Sequence, residues 1–314
     1  RGSPLRRQPT AAALIGSMWR VPTALLLFGL GAGCATPLQI EDVPSENQSS
    51  RIQVVVLHFT SENHAEGLRL LTDSSYGAVS AHYLIPDPRD PTWGRDEATI
   101  LRLVPEQRRA WHAGLSRWGT RSALNDSSIG IEIGNESRCE TPAGMNRVLR
   151  PEDRDCTFVP FDPAQIDAVE RLLLDILARN PDIDPEDVVA HADITPSRRV
   201  DPGPLFPWKR LHEAGIGPWY READRERHLN ALGPGIPDIA FAQRVLSAWG
   251  YDLEITGALD PPTRFVLEAF QMRFRANDHA GKLDAETIAI ALALTERYRP
   301  DAYATLIAGV PRAR

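Results

Sequence analysis

Short apolar runs recur through the first two thirds of the chain, separated by polar and turn-forming positions. Val54–Leu57, Val79–Ile85, Ile100–Val104, Ile129–Ile133 and Val188–Ala190 have the length and boundaries of strands. Between them a different period appears. Ile166, Val169, Leu173, Ile176 and Leu177 repeat at helical spacing, starting at Asp162-Pro163 and ending at Asn180-Pro181. An aspartate suits the N-cap of such a helix and a proline its first turn. Strands mixed with amphipathic helices predict an α/β fold.

The last third changes character. Asn230–Pro237 is rich in turn formers and reads as part of a linker. Phe241, Val245 and Trp249 then follow at helical spacing, and Gly250 closes that run. A short repeat comes next: Gly257-Ala-Leu-Asp260-Pro-Pro-Thr263 and Gly281-Lys-Leu-Asp284-Ala-Glu-Thr287. In each copy the aspartate would cap a new helix. Phe265, Ala269, Phe270 and Phe274 supply the apolar face of the middle one. Three short helices predict a small all-α domain, separate from the α/β part.

Composition narrows the classes. A chain of 314 residues with 42% hydrophobic content can bury one full domain and a smaller second one. With a net charge of -7 and no stripe of Lys and Arg, nucleic acid is excluded as an expected partner. Near the N-terminus, Met18-Trp-Arg20 precedes an apolar stretch from Val21 to Gly33, followed by Cys34. That stretch is too short to span a bilayer but suits the core of an export signal. Small residues before a cysteine resemble the cleavage site of bacterial lipoproteins, so Cys34 is expected to carry lipid and anchor the protein in the membrane. An ordinary secretory signal cleaved elsewhere, or a signal anchor, is the alternative. Cys139 and Cys156 remain, bracketing a polar loop in an oxidising compartment. They form either a disulfide or two thiols.

The candidate chemistry lies where apolar runs end. Val54-Val-Val-Leu-His58 and Val188-Val-Ala-His191 each deliver a histidine, and Asp201 follows His191 by ten positions. Two imidazoles and a carboxylate suit a catalytic zinc site with one position left open. Hydrolysis there also needs a base for the attacking water. Glu132 in Asn125-Asp-Ser-Ser-Ile-Gly-Ile-Glu132-Ile-Gly is a candidate, since a carboxylate within an apolar strand is costly unless it is paired or functional. A strand glutamate facing solvent by simple alternation is the other reading of the same residues.

From about Ile52 to Trp208, these motifs resemble the zinc-dependent N-acetylmuramoyl-L-alanine amidases of the type 2 amidase family, which also includes the peptidoglycan recognition proteins. The resemblance implies a mixed central sheet flanked by helices. It also implies Zn2+ held by His58, His191 and Asp201, and Glu132 as general base. Many members carry a lysine two residues before the aspartate ligand; here Arg199 stands there, able to stabilise an oxyanion but not to give up its proton. Trp111, His112 and Trp118 lie in a run that lines the substrate groove in relatives, although both indoles could equally be core residues. His82 is expected to be a hydrogen-bonded core histidine or a supporting partner of the site. His64, His212, His228 and His279 have no spacing that suggests chemistry.

The C-terminal helices, with Gln243, Gly250-Tyr251 and Phe270-Gln271, resemble the peptidoglycan-binding domain of wall hydrolases. The expected layout is a signal region over 1–34, a linker over 35–50 and a catalytic domain over 51–213. A second linker over 214–235, the three-helix domain over 236–297 and a tail over 298–314 complete it. Together these readings imply cleavage of the amide between the lactyl group of MurNAc and L-alanine in peptidoglycan or muropeptides. The enzyme would work at the periplasmic face of the outer membrane. A peptidoglycan receptor that binds without cutting, and a two-carboxylate glycosidase, are the alternatives.

Overall fold

A computed structural model of the protein describes residues 38–140 and 150–308. Cys34 and the signal region 1–34 lie outside the described residues. Strand β1 (Val54–Phe59) is buried along its whole length at the centre of the main sheet. Around it stand β2 (Tyr83–Ile85), β3 (Leu101–Arg102), β6 (Ser128–Ile133) and β9 (Val188–Ala190), in the order β3-β2-β6-β1-β9. Only the β2–β3 pair is antiparallel. Central parallel strands covered on both faces need continuous apolar runs, which is why Val54–Leu57 shows no alternation. The expected α/β class and mixed sheet are therefore present. Two expected strands are shorter than their apolar runs: Val79–Ile85 pairs only over β2, and Ile100–Val104 only over β3.

Two hairpins lie outside this sheet. One pairs β4 (Arg117–Trp118) with β5 (Arg121–Ser122), and the other pairs β7 (Arg138–Glu140) with β8 (Asp155–Thr157). Cys139 and Cys156 are opposite one another in the second and are joined by a disulfide. Helix α1 (His64–Thr72) follows β1, capped by the Asn63 side chain. Helix α2 (Pro163–Arg179) begins at Asp162, whose carboxylate accepts from Ala164 N at 2.9 Å. It buries Ile166, Val169, Leu173 and Ile176. The four-residue helix α3 (His191–Ile194) follows β9 directly, and α4 (Trp208–Glu213) comes after it.

The segment 214–235 is not simply a linker. It contains helix α5 (Glu222–Leu232), which packs on the C-terminal helices. Helices α6 (Ile239–Trp249), α7 (Pro261–Phe274) and α8 (Ala285–Tyr298) match the three expected ones. Asp260 and Asp284 cap α7 and α8 through Thr263 N and Thr287 N, as the repeat implies. Gln243 and Gln271 play equivalent parts in the two copies. Each side-chain oxygen accepts from the repeat glycine, Gly257 or Gly281, at 2.9 Å. The tail carries a further helix, α9 (Pro300–Ala308).

The helical domain is not a separate body. From Ser49 onward the chain forms one compact unit with a continuous apolar core. Trp118 of β4 is fully buried, with its ring 6.3 Å from Trp249 and 5.3 Å from Tyr251. Gly250, at φ 141°, is what lets the two parts close up: a Cβ there would sit 3.0 Å from the Trp118 ring. Its carbonyl accepts from Gly119 N at 2.8 Å. The expectation of an independent C-terminal unit is therefore corrected, because its apolar face is completed by the α/β part.

Candidate active site

Parallel pairing sets the first relationship in the site. His58 near the end of β1 is in register with Glu132 near the end of β6, so both side chains project from the same face of the sheet. Strand β9 pairs with the other edge of β1 and releases the chain at Ala190, which places His191 at the start of α3. The chain then returns so that Asp201 O accepts from Ala192 N at 3.0 Å. Three distant segments thus converge. His58 Nδ1 lies 2.9 Å from His191 Nδ1 and 3.1 Å from Asp201 Oδ2, and His191 Nδ1 lies 3.0 Å from the same oxygen. All three residues are buried.

A chain of hydrogen bonds runs away from this cluster and fixes the imidazole states. Ser128 Oγ donates to Leu124 O at 2.6 Å, so it accepts from His112 Nε2 at 3.1 Å. A neutral His112 then accepts on Nδ1, 3.1 Å from His58 Nε2. His58 therefore carries its proton on Nε2 and directs the Nδ1 lone pair into the cluster. Gly130 makes room for this: a Cβ there would sit 2.3 Å from the His112 ring. Ser128, Gly130 and Glu132 alternate along one face of β6, so a single strand face supports His112 and presents the carboxylate.

The electrostatics match a cation site. Burial, followed by the charge of His191, pulls the His58 imidazole down to about 4. Burial and the neighbouring histidines hold His112 well below its usual value, so both rings are neutral. Burial alone would raise the Asp201 carboxyl, but the two imidazoles outweigh it and hold the group well below the usual carboxylate range. The His58 lone pair, His191 Nδ1 and an Asp201 carboxylate oxygen face one point, the donor set of a small divalent cation. Glu132 behaves oppositely. Burial, then the Asp201 charge, raises its carboxyl well above the usual range, and Arg199 offsets only part of this. Its Oε2 is buried without a hydrogen-bond partner among the described residues.

His58, Glu132, His191, Arg199 and Asp201 all line one cleft of about 1020 Å³. Arg199 is exposed there and forms no ion pair among the described residues. Trp111 lines the same cleft and is half exposed, consistent with a groove wall. Trp118 does not reach the cleft. It is a core residue whose Nε1 donates to Glu186 O at 3.1 Å, which corrects its expected groove role. His112 borders the cleft, but its ring nitrogens are taken up by His58 and Ser128, so it supports the cluster. His82 is a hydrogen-bonded core histidine as expected: its Nδ1 accepts from Gly130 N and its Nε2 donates to Arg108 O. The cleft has one wall that sequence reasoning missed. Pro261, Pro262 and Phe265 of α7 line it, and a helix N-terminus gives no local sign of which cleft it will border.

The chain matches the N-acetylmuramoyl-L-alanine amidase family over residues 48–204 and a peptidoglycan binding domain family over residues 236–290. It is 42% identical to the N-acetylmuramoyl-L-alanine amidase AmiD of Escherichia coli, over 90% of this chain and 98% of that one. The solved structure of AmiD from E. coli in complex with the substrate anhydro-N-acetylmuramic acid-L-Ala-D-gamma-Glu-L-Lys is similar with a TM-score of 0.69 and 42% identity. The match covers 82% of this chain and 93% of that one. The crystal structure of AmpDh3 from Pseudomonas aeruginosa in complex with anhydromuramic pentapeptide gives a TM-score of 0.74 at 41% identity, covering 83% and 99%.

Proposed function

The chain belongs to the N-acetylmuramoyl-L-alanine amidase family, and from that premise we propose how its own residues cut the bond. The enzyme hydrolyses the amide between the lactyl group of N-acetylmuramic acid and L-alanine in muropeptides, in the turnover of the cell wall. The observation that carries this reading is the buried His58, His191 and Asp201 cluster opening on a cleft beside Glu132, whose Oε2 has no hydrogen-bond partner among the described residues.

His58 and His191 through Nδ1, and Asp201 through Oδ2, would hold Zn2+. When bound, that ion supplies Lewis acidity to the scissile carbonyl and to water. The Nε2–H of His58, held by His112, keeps the ring turned so that Nδ1 faces the cluster. Glu132 takes the proton of the attacking water as its oxygen adds to the lactyl carbonyl carbon. The carbon–nitrogen bond then breaks, and Glu132 passes the proton to the departing amine of L-alanine. A carboxyl whose pKa is raised by burial suits both halves of that transfer. Arg199 projects into the cleft and directs its N–H groups at the developing oxyanion. Trp111 supplies an apolar surface for the sugar or lactyl group.

The enzyme acts in the periplasm, as its relationship to cell-wall amidases implies. Lipid on Cys34 would tether it to the inner face of the outer membrane, and labelling with a radioactive fatty acid in cells carrying Cys34→Ser tests that attachment. The reaction is tested by mass analysis of products from purified peptidoglycan, with and without chelator. Free stem peptides and unbroken glycan strands are expected, and chelator should abolish them. New reducing sugar ends would instead mark a glycosidase.

A further inference from the structure

Asp193 stands two residues beyond His191, within the same four-residue helix α3. Both its oxygens are engaged. Oδ2 accepts from Ala190 N at 2.9 Å, closing the turn between β9 and α3 around His191. The same oxygen lies 2.7 Å from Arg273 Nη1, and Oδ1 accepts from the Tyr251 hydroxyl at 2.6 Å. Arg273 reaches further: Nη2 donates to Val188 O at 2.8 Å, and its guanidinium lies 4.1 Å above the Trp208 ring. The Asp193 and Arg273 side chains are each 1% exposed. Arg273 belongs to α7 and Tyr251 follows α6, so both come from the peptidoglycan-binding part of the chain.

A ligand at the junction of a strand and a helix is held only as firmly as the backbone on either side of it. Helix α3 is too short to keep its own shape, since one turn does not repay the cost of its nucleation. Among the described residues, the only cation paired with Asp193 is Arg273. Resting on the metal-site reading above, we propose that Arg273 and Tyr251 are positioning residues for the metal centre, acting on His191 through Asp193. The C-terminal helices are then part of the amidase machinery as well as a wall-binding module.

The test uses the full-length protein and measures zinc affinity by competition with a chelator, together with the melting temperature. Tyr251→Phe removes one hydroxyl from Asp193 and should weaken zinc binding several-fold, less than the roughly 10–100-fold lost with a direct partner of a ligand, because it acts through Asp193 and the backbone. Arg273→Met should weaken it further, and Arg273→Lys should recover much of the loss because an ammonium can still pair with Asp193. Leu294→Ala, in the buried face of α8, controls for simple destabilisation: it should lower the melting temperature and leave zinc affinity unchanged. The proposal is overturned if Tyr251→Phe binds zinc like the wild type, or loses affinity only as far as Leu294→Ala does. Should Arg273→Met fail to fold, Tyr251→Phe decides alone. His191→Ala separates the two readings. Undiminished zinc binding there refutes the metal site itself. Lost zinc binding there with wild-type affinity in Tyr251→Phe refutes only the positioning role.

Discussion

His58 and Glu132 are direct neighbours across the parallel pair β1 and β6, in register and on one face of the sheet. The strand ladder therefore fixes the spacing between the imidazole and the carboxylate, and neither relies on a loop. One backbone framework serves two chemistries: His58 is tied to the buried cluster, while Glu132 keeps a buried oxygen without a partner among the described residues.

Because the ladder holds both residues, Glu132→Gln should leave the cluster intact. Zinc content should stay at the wild-type level by metal analysis, while turnover falls about 10²–10⁴-fold, the usual contribution of a general base. Near-normal turnover would assign the proton transfer to another group.

Arg199 is exposed in the cleft and unpaired among the described residues, so its removal should not disturb the fold. Arg199→Ala should lower kcat on the order of 10²-fold with KM little changed, as expected for a donor that acts in the transition state. Arg199→Lys should retain much of the rate. A rise in KM alone would make Arg199 a substrate-binding residue.

Ending the chain at Gly235 should not yield a free-standing amidase. The cut removes Trp249 and Tyr251 from around Trp118 and takes Arg273 from the buried Asp193. It also opens the apolar face around Trp118 to water, at about 1.5–3 kcal/mol for each large side chain exposed, against a typical stability of about 5–15 kcal/mol. Insoluble product or loss of a cooperative melt by circular dichroism is expected. A truncated protein that melts cooperatively at the full-length temperature would refute this.

Burial raises the Glu268 carboxyl to about 7, although Arg154 lies only 2.7 Å away and opposes the shift. An unfolded glutamate titrates near ~4.3, so between that value and about 7 the folded protein holds a proton that the unfolded chain has released. Stability from this group is thus fully present below the lower value and is lost as pH rises through about 7. Glu268→Gln removes that dependence, so its melting temperature should gain on the wild type as pH rises across the interval. A difference constant with pH would exclude the effect.

Much of the protein is written locally. Asp162, Asp260 and Asp284 announce helix starts because a cap acts on backbone N–H groups two or three residues away. The central strands are legible because a buried parallel strand needs an unbroken apolar run. The residues of the cluster stand out because a histidine ending such a run is unusual, and the family motif relates them.

Other features have no local signature. Trp111 and Trp118 sit in one short run of similar composition, yet one borders the cleft and the other is sealed beneath Trp249 and Tyr251. Turn formers around Asn230–Pro237 suggested a linker, but helix α5 and the shared core bind the two parts into one unit. The run around His112 points to the groove only through its resemblance to relatives, whereas its partners, His58 and Ser128, are brought to it by the tertiary fold. Periodicity and capping are decided within a few residues, so the sequence by itself determined the central strands, the capped helices α2, α7 and α8 and, with the family motif, the candidate ligands. Burial and hydrogen bonding join residues from distant segments, so only the tertiary structure decided that the C-terminal helices share the core of the catalytic part and hold Asp193 beside His191.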